Sequence, residues 1–237
     1  MKKIPVGIKG IDAILLGGLP EGKSILVSGN CGAGKTVFAS HFISEGLRNH
    51  ESALYISLEQ EKGRLMLDLQ EMGIHWHSHE KKGKLKIIGG DFASLRRLKE
   101  KRKAHFLDLV QEITEVVQEL KAKRVVIDSL NLLLSLFDNP NEQRNYFAQL
   151  NYELQKLGCT VLYTCEVPEY TPMISWFGFE EFVVDGVFML KRQSDHKQVA
   201  HRSIEIIKMR GSGHKEGSFP LRISEKGMEI LFKTSII

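Results

Sequence analysis

The chain has 237 residues, 42% of them hydrophobic and 26% charged, with a formal net charge of +4. This length and balance fit one α/β domain over residues 1–237 with its own core, and they exclude a disordered chain. So small a charge makes no case for nucleic-acid or membrane binding. The three cysteines lack CxxC or CxxH spacing, which argues against a disulfide framework or structural zinc and fits a reducing, cytoplasmic setting.

The opening MKKIPVGIKGIDAILLGG begins like a signal peptide, but Pro5, Lys9 and Asp12 interrupt any apolar region. Ser24 to Ser28 reads as a short buried strand, and Thr36 to Leu47 as a helix. Ala53 to Leu58 and Leu85 to Ile88 are further strand candidates. Phe106, Leu109, Val110, Ile113, Val117 and Leu120 recur at helical spacing and predict one buried helix face. Arg124 to Ile127 reads as a buried strand, and Tyr146 to Leu157 as a helix stopped by Gly158. Thr160 to Thr164 is the next strand. The apolar stretch from Leu130 to Phe137 is too short to span a bilayer. After Asp185-Gly186 the pattern changes. Val187 to Leu190, Ser203 to Met209, Phe219 to Ile223 and Met228 to Phe232 read as consecutive strands, with Gly211, Gly213, Gly217 and Gly227 in the turns. Strand-helix alternation predicts a mainly parallel sheet flanked by helices, with antiparallel additions at the C-terminal edge.

Between the first strand and first helix lies Gly29-Asn30-Cys31-Gly32-Ala33-Gly34-Lys35-Thr36, which matches G-x-x-x-x-G-K-[ST] in the context the motif requires. Glycines let backbone N–H groups turn inward around phosphate oxygens, and the helix adds its N-terminal dipole. Lys35 is expected to reach the β- and γ-phosphates of ATP, and the Thr36 hydroxyl to coordinate Mg2+. Asp128 closes the strand RVVI, where an acid is expected to hold the magnesium shell; a helix-capping role is the alternative. Glu59 follows the strand ALYIS. If that strand neighbours the phosphate-loop strand, Glu59 stands near the γ-phosphate and can orient or deprotonate water, whereas a solvated loop acid is the other reading.

With these residues in order, the chain resembles the KaiC-like ATPases of the RecA superfamily, as a single-domain member. The likeness rests on Gly7 to Asp12, Gly17 to Gly22, the phosphate loop, Leu54 to Glu59, Val126 to Leu130 and Thr160 to Glu166. It extends through Val184 to Val187 and the segment Lys208-Met209-Arg210-Gly211-Ser212-Gly213-His214. The resemblance implies a RecA-like P-loop core and a homo-oligomer of hexameric rings with ATP between subunits; the first functional reading is a ring ATPase whose hydrolysis drives conformational signalling. The resemblance makes Glu59 the catalytic acid, and Lys208 and Arg210 cations that reach the neighbouring subunit's γ-phosphate. Two departures stand out. The family's glutamate pair reads Glu59-Gln60 here, and the Ser-Thr pair that the clock member autophosphorylates falls on Glu181 and Phe182. The autokinase cycle is therefore not carried over.

Weaker signals surround this set. His75, His77 and His79 alternate in HWHSH, which would place three imidazoles on one face of an extended segment, although a polar loop is the plainer reading. Arg96, Arg97, Lys99, Lys101, Arg102 and Lys103 form a basic run, read as a solvated loop. Trp76, Trp176 and Phe177 suit core or interface better than base stacking. Cys31 reads as a tolerated small residue within the loop. Two alternatives to an ATPase ring are a nucleotide-gated scaffold without catalysis and a DNA recombination or repair paralogue. The second rests on the superfamily and the basic run, and nucleic-acid binding is not favoured.

Overall fold

The computed structural model describes residues 1–90, 106–194 and 200–232. Two short strands, β1 (Lys3–Ile4) and β2 (Leu19–Pro20), pair antiparallel around helix α1 (Ile11–Ile14). Next come β3 (Ser24–Gly29), α2 (Lys35–Arg48), β4 (Ala53–Ser57), α3 (Lys62–Glu71), α4 (His77–Lys81) and β5 (Leu85–Gly89). Then follow α5 (Phe106–Leu120), β6 (Arg124–Asp128), α6 (Leu130–Leu134), α7 (Pro140–Lys156), β7 (Thr160–Glu166) and α8 (Glu180–Val183). The described chain closes with β8 (Gly186–Ser194), β9 (Ala200–Met209), β10 (Ser218–Ser224) and β11 (Gly227–Ile230).

Among the described residues the large sheet runs β11-β10-β9-β8-β3-β7-β6-β4-β5. From β8 to β5 all neighbours are parallel, and β8 to β11 form an antiparallel meander. The expected sheet is thus present, antiparallel edge included. The phosphate-loop strand β3 has β7 and β8 as neighbours, so β4 does not lie beside it. The condition attached to Glu59 in the sequence reading fails, and that residue must be placed by other means.

Strand side chains alternate between two cores, as the pleat requires. Ile25 and Val27 face one side with Phe38 and Phe42 of α2, together with Tyr55 and Trp76. Leu26 faces the other with Leu54, Val125, Ile127 and Tyr163, under Val110, Ile113 and Val117 of α5 and Phe147 and Leu150 of α7. Each such fully buried side chain contributes about 1.5–3 kcal/mol relative to exposure, which makes these two faces the main stabilising term. Charged groups are buried too, and one of them braces the fold. Arg124, fully buried, pairs with Glu51 at 2.6 Å, donates to the Pro5 and Phe42 carbonyls at 2.8 Å each, and stacks on the Phe42 ring. It ties the N-terminal segment, α2 and β6 together.

Several elements depart from the sequence reading. Helix α7 begins six residues before Tyr146, because Asn139 caps the Asn141 N–H at 2.8 Å and Pro140 opens the first turn. Those first residues are polar and carry no periodic signal. Helix α3 lacks a predicted counterpart, since only Leu65, Met66 and Leu69 of its ten residues are buried. The HWHSH segment is not extended. His77 and His79 belong to α4, and Trp76 is core, donating from Nε1 to Ser44 Oγ at 2.9 Å. Alternation therefore does not give three imidazoles a common face. Phe177 packs against the second core, whereas Trp176 is exposed. The basic run 96–103 lies outside the described residues. Among the described residues, no helix is long and apolar enough to cross a membrane.

The β10–β11 hairpin folds back on α2. His41 Nε2 accepts from the Met228 N–H at 2.9 Å, and the hairpin's Ile223 and Met228 side chains rest against Gly34.

Candidate functional site

The site grows from the carboxyl ends of β3, β7, β6 and β4. Strand β3 is buried along its whole length and delivers Gly29 to the edge of the sheet. A Cβ on Gly29 would stand 2.5 Å from the Leu190 carbonyl, so only glycine allows the loop to leave the strand this close to β8. Asn30 fixes the first turn: its side chain accepts from the Arg192 N–H at 2.9 Å and donates to the Arg192 carbonyl at 2.8 Å. Gly32 and Gly34 take positive φ values of 70° and 106°, which L side chains adopt at a cost. They turn the loop into α2, whose N-terminus opens on it. Cys31 and Gly32 are exposed, whereas Ala33 and Lys35 are buried.

Lys35 folds back over the loop. Its Nζ donates to the Gly29 and Asn30 carbonyls at 3.0 and 3.3 Å and lies 3.6 Å from Glu166 Oε1. Thr36, one residue on, donates its hydroxyl to Asp128 Oδ2 at 2.9 Å. Asp128 is buried at the end of β6 and also accepts from the Tyr55 hydroxyl at 2.7 Å and from Thr164. Among the described residues, the hydrogen-bond partners of its carboxylate are these three neutral hydroxyls. Burial, then the Asp128 charge, push the Tyr55 hydroxyl well above the usual phenol range, so it stays a donor. The capping alternative for Asp128 is not what this geometry presents, since its carboxylate bonds across the sheet to α2, β4 and β7.

Glu59 follows β4, which pairs with β6 so that Ser57 stands opposite Asp128, and the Leu58 N–H donates to the Asp128 carbonyl at 2.6 Å. The register, not adjacency to β3, brings Glu59 to Asp128. Glu59, Gln60, Arg64, Leu132 and Glu166 line a cleft of about 650 Å³. Although Glu59 as a residue is exposed, burial of its carboxyl and then the Asp128 charge raise its pKa above the ordinary glutamate value. Gln60, in the position of the family's second acid, donates its amide to Asp68 of α3 at 3.1 Å.

Lys208 and Arg210 do not join this group. Lys208 pairs in register with Val187, whereas Gly29 pairs with Leu190. Three residues of strand correspond to about 10 Å along the sheet. Lys208 Nζ donates to the Val184 carbonyl at 2.9 Å and to the Glu181 carbonyl, and Arg210 Nη2 donates to the Phe182 carbonyl at 2.9 Å. Burial, reinforced by the Arg210 charge, lowers the Lys208 pKa. Both cations sit at the amino ends of the strands whose carboxyl ends carry the phosphate loop.

Three residues of the site escaped the sequence reading: Tyr55, Thr164 and Glu166. The first two are hidden inside apolar strands and reach Asp128 only through strand order. Glu166 had a signal, because it is an acid at the carboxyl end of a parallel strand, as Glu59 and Asp128 are.

ATP and Mg2+ fit these residues. A close-packed loop of permissive glycines, a buried lysine held over it, and a hydroxyl–carboxylate pair at 2.9 Å form the donor set that triphosphate and an oxygen-seeking dication require.

Comparison with known proteins places the chain in a family. A family model described as "ATPase: KaiC" matches residues 4–235. An UPF0273 protein of Thermotoga maritima is 34% identical, covering 97% of this chain and 96% of that protein. The circadian clock oscillator protein KaiC of Parasynechococcus marenigrum is 32% identical over 97% of this chain but only 45% of its own length. The chain thus spans about half the length of the clock relatives it matches. The KaiC-like protein PH0186 of Pyrococcus horikoshii superposes with a TM-score of 0.84 at 29% identity, covering 97% of this chain and 99% of that one. The fold is the RecA-like α/β core, and the chain belongs to the KaiC ATPase family.

Proposed function

We propose that the protein is a cytoplasmic ATPase that assembles head to tail into a hexameric ring, so that each site is completed by a second copy of the chain. The observation that carries this reading is the separation just described. Lys208 and Arg210, the cations of the family's KMRGSGH segment, point away from their own phosphate loop and would have to serve another. A head-to-tail ring brings different patches together at each interface, which is the geometry such sharing needs.

Within one site the roles divide as follows. Backbone N–H groups of residues 30–36 and the α2 dipole bind the phosphates, and Lys35 neutralises the β- and γ-oxygens. Thr36 and Asp128 would hold Mg2+, which when bound neutralises phosphate charge. Tyr55 and Thr164 keep the Asp128 carboxylate oriented. Glu59 takes a proton from the attacking water; its raised pKa makes it a better base than an ordinary carboxylate. Lys208 and Arg210 of the neighbour stabilise charge on the transferring phosphoryl group. Conformational signalling by the ring is the output this reading assigns.

The test mixes two variants. Glu59→Ala and Arg210→Ala should each be nearly inactive alone. After subunit exchange at equal ratio, roughly a quarter of sites combine an intact Glu59 with a neighbour's intact Arg210 and recover activity. Zero recovery, with exchange confirmed by mass, would rule out the shared site. One observation favours a second reading, a nucleotide-gated scaffold: Gln60 replaces an acid and is engaged with Asp68. Absence of turnover in the parent protein despite ATP-dependent assembly would select it.

A further inference from the structure

Glu166 stands opposite Gly29 in the β3–β7 register and faces Lys35 at 3.6 Å, and its N–H donates to Asn131 Oδ1 at 3.2 Å. The chain that leaves it, residues 167–184, runs from the phosphate loop to the opposite end of the sheet and is fastened along its course. Asn30 donates to Glu169 at 3.3 Å. The Trp176 N–H reaches Cys165 Sγ at 3.4 Å. Glu180 is fully buried, and its carboxylate accepts from Ser175 Oγ at 2.8 Å and from the Phe177 and Phe179 N–H groups at 3.0 and 3.1 Å. At the far end are the Glu181, Phe182 and Val184 carbonyls that hold Lys208 and Arg210.

The geometry points to Glu166 as a positioning residue that ties the phosphate loop of one chain to the Lys208–Arg210 pair which the same chain presents to its neighbour. The inference rests on the shared-site reading above. Its physical basis is competition for one cation. Lys35 has Glu166 as its carboxylate partner, and a triphosphate is a stronger anion placed on the same ammonium group. A bound nucleotide therefore changes the interaction free energy of Glu166, which is the condition for any ligand to shift a conformation. Although residues 168–170 are exposed, Trp176 is tied to Cys165 beside Glu166, and Glu180 ties residues 175–179 to the end of the segment, so a displacement at Glu166 has a short packed route to the carbonyls at 181–184. Such contiguous packing is the kind of network that carries coupling. Glu166 does not touch the neighbour's nucleotide in this scheme. It acts through the two cations.

The experiment separates this role from any local one. In the exchange mixture, the Arg210→Ala subunit supplies the phosphate loop with Glu59 and Glu166 intact. The finger-donating subunit carries Glu59→Ala, alone or with Glu166→Gln. Every complete site then has the same residues around its ATP, and only the donor's Glu166 differs. The recovered kcat should fall roughly 3- to 30-fold with Glu166→Gln in the donor, with KM unchanged. Glu166→Asp in the same donor, which keeps the charge, should restore at least part of that loss and so separates lost charge from lost folding. Equal recovery with and without Glu166→Gln overturns the inference, as does a loss that Glu166→Asp fails to relieve. Zero recovery from the Glu59→Ala donor alone, with exchange confirmed, instead overturns the shared site beneath it.

Discussion

Each end of the central strands holds a buried aspartate, and the two are partnered in opposite ways. At the carboxyl end Asp128 accepts from the Thr36, Tyr55 and Thr164 hydroxyls. At the amino end Asp185 accepts from Lys23 Nζ and the Ser24 N–H at 3.1 Å each, and from Gln155. Burial alone would raise the Asp185 pKa, but the Ser24 N–H and Lys23 outweigh it and hold the carboxyl below the usual range. A charge that is locally neutralised serves the fold. A carboxylate whose hydrogen-bond partners among the described residues are neutral hydroxyls retains its field for a dication and a polyphosphate. On the proposed reading, the same residue type, buried at both ends, has a structural part in one place and a binding part in the other.

Lys35→Ala should break the binding end most severely. Losing the charge-assisted contacts to phosphate costs about 3 kcal/mol or more, roughly 100-fold in ATP affinity. Unchanged affinity for a fluorescent ATP analogue would remove the phosphate-loop assignment. Glu59→Gln should leave that affinity nearly intact and slow hydrolysis by about 100-fold or more. Its pH profile sharpens the point. A base must be deprotonated, and the Glu59 pKa is raised, so wild-type kcat should decline on acidification from above the ordinary glutamate range. The glutamine variant should lack that limb; a limb that persists would put the base elsewhere.

Asp185→Asn tests the other end. It should cost about 2 kcal/mol in urea unfolding, as expected for loss of charged hydrogen bonds, with ATP affinity unchanged. Because the folded pKa is depressed, the Asp185 contribution is full above the unfolded carboxylate pKa and is lost as pH falls through the folded value. The variant should therefore show a shallower fall of stability in acid. If ATP affinity drops as well, the division between the two ends is wrong. The smallest expected effect concerns the six cations from Arg96 to Lys103. Their replacement by Ser or Gln should leave basal ATPase unchanged, and strong parental DNA affinity lost in that variant would favour a recombinase-like role instead.

What could be read from the sequence was what is encoded locally. Residues 29–36 carry their chemistry in eight consecutive positions, and Asp128 and Glu59 betray themselves as acids ending apolar strands. Tyr55, Thr164 and Glu166 were not legible because strand order decides their neighbours, and nothing in β4 or β7 announces that β6 lies between them. The first two turns of α7 were missed for another reason: their fold signal is a cap, Asn139-Pro140, ahead of a polar stretch without periodicity. Lys208 and Arg210 were found through family likeness alone, since strand-end cations are common and spacing gives them no role.

The hairpin that rests on Gly34 has a consequence in time. His41 and Met228, which join it to the phosphate-loop helix, are 187 residues apart. At about 5–20 residues per second, a ribosome makes the second roughly 10–40 s after the first. During that interval the nascent chain already contains the loop, its lysine and its threonine, but not the cover that packs against the last glycine. Nucleotide that reaches the loop early meets an unsheltered helix end, so retention of ATP should mark the moment when the C-terminal meander has docked.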